Sequence, residues 1–173
     1  MKLPAKLSPA DVVALVDNRE QLPWDLSPMR SVPATLQTGD YTIQGCENDV
    51  RIERKERDDL LQCFGPARDR FFREMERFAA FPIRVLIAET SWQELERGGW
   101  RSAITPASAV GSTLGLIAQG VPVILAGDRE RAQRYAAKFL FIAARREYRR
   151  LRAMLANVTD GELPAEAQAE VLA

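Results

Sequence analysis

Three short apolar runs, each closed by an acid or a glycine, set the limits on how this chain folds. Residues 12–17 read Val-Val-Ala-Leu-Val-Asp. Residues 83–88 read Ile-Arg-Val-Leu-Ile-Ala and precede Glu89. Residues 121–126 read Val-Pro-Val-Ile-Leu-Ala and precede Gly127. Runs of this length suit buried strands. Between them lie stretches of helical character: 58–64, 67–80, 91–97, 106–119 and 129 to about 155. In 67–80, Phe71, Phe72, Met75, Phe78 and Ala79 recur at helical spacing. Pro106 suits the first turn of its helix, and the last stretch has no internal Gly or Pro. Residues 36–43 and 50–55 read as a hairpin around Gly45-Cys46-Glu47-Asn48-Asp49, which is turn chemistry. Residues 18–34 hold Pro23, Pro28 and Pro33 and read as a loop, and residues 1–11 as an arm. This alternation predicts one α/β domain over 1–156 with a mixed sheet. An acidic, alanine-rich tail, expected to be poorly ordered, follows over 157–173.

Composition narrows the chemistry. The 173 residues include no histidine, which excludes a Ser-His-Asp or Cys-His relay, an imidazole base and a His-ligated zinc. Two cysteines, Cys46 and Cys63, are too few for a disulfide framework and fit a reducing cytoplasm. Basic and acidic residues balance at 24 each, so any electropositive surface must come from local clustering. No apolar run approaches the roughly 20 residues of a membrane span. Carboxylates, lysine or arginine, and a metal remain.

The hairpin offers that set. Alternate side chains of a strand share a face, so Glu53 and Lys55 point one way and Ile52 and Arg54 the other. Asp40, after Gly39 on the neighbouring strand, completes a group of two carboxylates and one ammonium, and Asp17 is a third candidate acid. Hard oxygen ligands of this kind hold Mg²⁺ or Mn²⁺, and a lysine beside them can stabilise a phosphoryl transition state. By itself the pattern also suits an exposed, solvated hairpin face.

The flanking residues add specificity. Val16-Asp17-Asn18-Arg19-Glu20, then Gly39-Asp40-Tyr41, then Ile52-Glu53-Arg54-Lys55 with Asp59, resembles the XPF-type (ERCC-type) structure-specific nuclease domain. That domain belongs to the restriction-endonuclease-like superfamily. Arg70-Phe71 with Glu74 resembles the family's next helix, with Asp69 in place of the usual Gly and Glu74 in place of Gln. The resemblance runs from about Val12 to Arg150. It implies a restriction-endonuclease-like mixed central β-sheet flanked by helices. It also implies DNA phosphodiester hydrolysis with Mg²⁺ or Mn²⁺, leaving 5′-phosphate and 3′-hydroxyl ends. Carried over, Asp40, Glu53 and Lys55 are catalytic. Asp17, Asp40, Glu53 and the backbone carbonyl of Arg54 are metal ligands, and Arg19, Glu20 and Asp59 are supporting residues.

Canonical relatives carry a tandem helix-hairpin-helix module; no such signature stands in these residues, and the expectation is the short stand-alone form of phages and other prokaryotic elements. The implied setting is the cytoplasm, with no membrane. The implied partners are branched DNA (flap or fork) in repair, recombination or replication, a second copy of the chain, and a helicase or separate DNA-binding protein. The last helix is locally basic, and Arg145, Arg146 and Arg149, with Arg54 and Arg70, are candidate DNA contacts. Its Phe139, Phe141 and Ile142 point to a homodimer face. Two other functions fit the sequence: a non-catalytic DNA-binding scaffold subunit, and a resolvase or restriction-type nuclease with a different DNA substrate.

Overall fold

The computed structural model describes residues 5–159. Six strands are present: β1 (Val13–Asp17), β2 (Arg30–Ala34), β3 (Tyr41–Ile43), β4 (Val50–Glu56), β5 (Ile83–Glu89) and β6 (Val123–Leu125). The helices are α1 (Arg57–Phe64), α2 (Arg68–Phe78), α3 (Trp92–Arg97), α4 (Pro106–Ala118) and α5 (Arg129–Thr159). The strands form one sheet in the order β2-β1-β3-β4-β5-β6. Neighbours are parallel except at β3, which runs against both β1 and β4. The carboxyl ends of β1 and β4 and the start of β3 therefore meet at one end of the sheet.

The two faces bury different layers. Val85 and Ile87 of β5 join Ile52 of β4 under α5, whose contact row is Ala132, Ala136, Leu140, Ala143 and Ala144. Four of those five are alanines, which lets the helix lie close to the sheet. Leu86 and Ala88 face the other way, onto Leu60 and Phe64 of α1, Phe71, Met75 and Phe78 of α2, and Leu116 of α4. Each fully buried large side chain here contributes about 1.5–3 kcal/mol.

Expectation and structure part at the edges. Residues 18–34 are not all loop, because Arg30–Ala34 pairs with β1 as an edge strand. Pro33 is compatible with that position, since an edge strand leaves one side of its backbone unpaired. Of the strand expected over 36–43 only Tyr41–Ile43 forms, because Gly39 adopts a left-handed φ of 73°. Helix α5 extends to Thr159, into the segment expected to be tail; the rest of that tail lies outside the described residues. Phe139 and Phe141 pack against the intramolecular core, so of the expected dimer face only Ile142 points outward, with Tyr135. No helix among the described residues is long and apolar enough to cross a membrane.

Candidate active site

The β3–β4 junction fixes the first carboxylate. A Cβ at Gly39 would lie 2.5 Å from Cγ of Arg51 and 3.0 Å from the Ile52 carbonyl, so only glycine fits. That turn brings Asp40 N to the Ile52 carbonyl (2.8 Å), while the Asp40 carbonyl accepts from Asp17 N (2.8 Å). Its side chain is held too: Oδ2 accepts from Arg54 N at 2.7 Å. On β4, Glu53 is 2% exposed and accepts a hydrogen bond through Oε1 from Nζ of Lys55. Lys55 lies 5.7 Å from the Phe71 ring, on the α1–α2 side of the sheet. Asp40, Glu53 and Lys55 thus come together at this end of the sheet.

Their protonation tendencies follow from burial. Asp40 is pushed well above the usual carboxylate range, first by desolvation and then by the charge of Glu53, with Lys55 opposing. Burial also raises Glu53, against Lys55. Burial works against the charge of Lys55, but Glu53 and Asp40 outweigh it and hold the ammonium protonated. Two buried carboxylates beside one ammonium leave a negative charge in excess, and a divalent cation with oxygen ligands suits that donor set.

Asp17 does not join them. Its side chain is 1% exposed, and four donors fill its two oxygens. Oδ1 accepts from Arg19 N (2.9 Å) and Nε (2.6 Å), and Oδ2 from Leu36 N (2.7 Å) and Arg19 Nη2 (3.2 Å). A carboxylate has about four acceptor positions, so none is left for a cation. Burial alone would raise its pKa, but these donors hold it low. Among the described residues no group of three or more acid, cysteine or histidine side chains is arranged to hold a metal ion. The three-carboxylate set expected from the sequence reduces to Asp40 and Glu53.

The other expected residues are placed differently. Arg54 points to the α5 face with its side chain 7% exposed, donating to Glu20 (2.7 Å), Glu89 (2.9 Å), Glu56 (2.5 Å) and the Leu22 carbonyl (2.9 Å). Its guanidinium is enclosed and unavailable to DNA. Glu20 instead links Arg54 to the Tyr41 hydroxyl, and its charge reaches Asp40 and Glu53. Asp59 is exposed in the first turn of α1, where its charge suits the helix dipole, and does not pair with Arg54 or Lys55. Arg70 is exposed on α2, one turn before Glu74, whose charge reaches Glu53. Arg145, Arg146 and Arg149 sit on the stretch of α5 that lies against Gly45, Cys46 and Asp49. That is the opposite end and opposite face of the sheet from Lys55.

The sequence reading missed a cage behind β4. Trp24, 2% exposed, stacks on Tyr41 (centroids 5.0 Å apart) and donates Nε1 to Glu89 at 2.7 Å. Arg129 reaches Glu89 (3.6 Å) and the Leu22 and Pro23 carbonyls. The available signal was Glu89 itself, an acid closing a buried strand just as Asp17 does.

No family model matches the chain, and a search of curated proteins finds no match. Solved structures do match. XPF from Aeropyrum pernix superposes with a TM-score of 0.61 at 19% identity, covering 77% of this chain and 62% of that one. The same protein in complex with DNA gives 0.63 at 18% identity, covering 77% and 65%. The chain spans less than two thirds of the length of either. It has the XPF-like nuclease fold, a mixed six-stranded sheet flanked by helices.

Proposed function

We propose that this chain is an endodeoxyribonuclease that hydrolyses phosphodiester bonds with Mg²⁺ or Mn²⁺. The observation that carries the reading is the meeting of Asp40, Glu53 and a protonated Lys55 at one end of a sheet with the XPF-like fold. Asp40 and Glu53, with the carbonyl of Arg54, would hold the cation. When bound, such a cation supplies Lewis acidity at the phosphate and makes water a stronger nucleophile at neutral pH. Lys55, kept charged by Glu53, stabilises negative charge growing on the phosphoryl oxygens. The Arg54 amide fixes one Asp40 oxygen, so the carboxylate is oriented before substrate arrives.

The proposed substrate is branched DNA, flap or fork, with a homodimer and a partner that supplies further DNA binding. One matched structure is of an XPF in complex with DNA, which supports a nucleic-acid substrate. The test is cleavage of linear, flap, fork and four-way DNA by purified protein with Mg²⁺, Mn²⁺ or EDTA. Metal-dependent incision of flap or fork DNA is expected. Binding without incision would instead mark a scaffold subunit, and preference for linear or four-way DNA a restriction-type or resolvase-like enzyme.

A further inference from the structure

The Asp17–Arg19 pair has a shape that a metal ligand would not have. Asp17 is buried and saturated, whereas the Arg19 side chain is 69% exposed. Arg19 is nonetheless fixed. Its Nε and Nη2 grip the two Asp17 oxygens, Nη2 also donates to the Leu36 carbonyl at 2.8 Å, and its own amide caps Asp17 Oδ1. Only Nη1 has no partner among the described residues. The guanidinium sits at the rim of the carboxylate site, within electrostatic reach of Asp40 and Glu74. A planar donor held rigid through Nε and Nη2 and open at Nη1 can donate to an oxyanion oxygen, and little side-chain entropy is left to lose on binding.

We infer that Arg19 is a phosphate-binding residue for the DNA backbone at the mouth of the active site, and that Asp17 is its positioning residue and not a metal ligand. The inference rests on the nuclease reading and adds to it a phosphodiester subsite next to the reacting phosphate. Three bonds to Asp17 at the end of β1 and one to the Leu36 carbonyl replace the conformational search of a free arginine. Among the described residues no other exposed arginine at this end of the sheet is held by two side-chain bonds to one buried carboxylate.

The test compares wild type with Arg19→Gln, Arg19→Lys, Asp17→Asn and the Asp17→Asn/Arg19→Gln double variant. Affinity for a labelled fork DNA is measured in EDTA from 50 to 200 mM salt, and Mn²⁺ binding to DNA-free protein by calorimetry. Thermal unfolding confirms that each variant is folded. Losing one phosphate contact lowers the slope of log affinity against log salt by about 0.9. Arg19→Gln and Asp17→Asn should each show that loss, the double variant no more, and Arg19→Lys should keep the slope at reduced affinity. Mn²⁺ binding by Asp17→Asn should equal that of wild type. An unchanged slope in Arg19→Gln overturns the inference, as does loss of Mn²⁺ binding in Asp17→Asn. Failure of the nuclease reading looks different: wild type would bind the fork DNA without incising it in Mg²⁺ or Mn²⁺, or would not bind it, whatever the Arg19 slope.

Discussion

Replacing Arg54 with methionine should destabilise the protein strongly and leave the salt dependence of the proposed DNA binding unchanged. The Arg54 side chain is 7% exposed, and its guanidinium is bonded to Glu20 (18% exposed) and Glu89 (11% exposed). Its third acid, Glu56, is 53% exposed, so solvent screens that pair and it adds little. Methionine fills much of the space beside Trp24 but leaves two mostly buried carboxylates short of a partner. Breaking a buried ion pair by removing one member costs about 3–5 kcal/mol. Glu89 keeps Trp24 Nε1 and Arg129 as partners, which places the loss near the lower end, about 3 kcal/mol. For a chain of this size that is a fall in Tm of about 6–12 °C. Urea unfolding of wild type and variant measures it, and the salt dependence of DNA binding should be unchanged. A loss under about 1 kcal/mol would refute the cage, and a shallower salt slope would show that Arg54 meets phosphate after all.

Asp40→Asn should stabilise the cation-free protein while abolishing cleavage. Burial and Glu53 raise the Asp40 pKa in the fold. The folded chain therefore binds this proton more tightly than the unfolded one, and stability falls as pH rises from about 4 through the raised value. Asparagine removes that slope, and a gain of about 1 kcal/mol would raise Tm by about 2–4 °C at neutral pH; a lower Tm would contradict it. Gly39→Ala should cost about 1–3 kcal/mol by denaturant titration, because of its left-handed φ and the Arg51 contact, and a neutral result would contradict the tight turn. Changing Arg145, Arg146 and Arg149 together to glutamine should leave steady-state cleavage within about threefold of wild type, since β4 alone sets about 20 Å between the two ends of the sheet, beyond a Debye length of about 8 Å. A hundredfold loss would place DNA across α5.

The strands and helices were legible because apolar runs closed by acids or glycines encode both length and burial. The hairpin was legible because alternation on β4 puts Glu53 and Lys55 on one face, and the structure keeps them there. What the sequence could not show was competition between neighbours. Asp17 stands where a ligand was expected, yet Arg19, two residues on, satisfies it completely. Arg54 stands between two site residues, yet its side chain crosses to the opposite face to meet Glu20 and Glu89, which come from distant segments. The basic stretch of α5 was visible as composition, but its distance from the acids depends on helix direction over the sheet. Edge strand β2 was hidden by Pro33, a residue that argues against strands everywhere but at an edge.

The most direct measurement is incision of a flap or fork DNA by purified wild type, Glu53→Gln and Lys55→Met, each with Mg²⁺, Mn²⁺ or EDTA. The account predicts incision by wild type only when a divalent cation is present, and rates at least about 100-fold lower in both variants although they remain folded. Incision by wild type in EDTA, or by either variant at the wild-type rate, would contradict it.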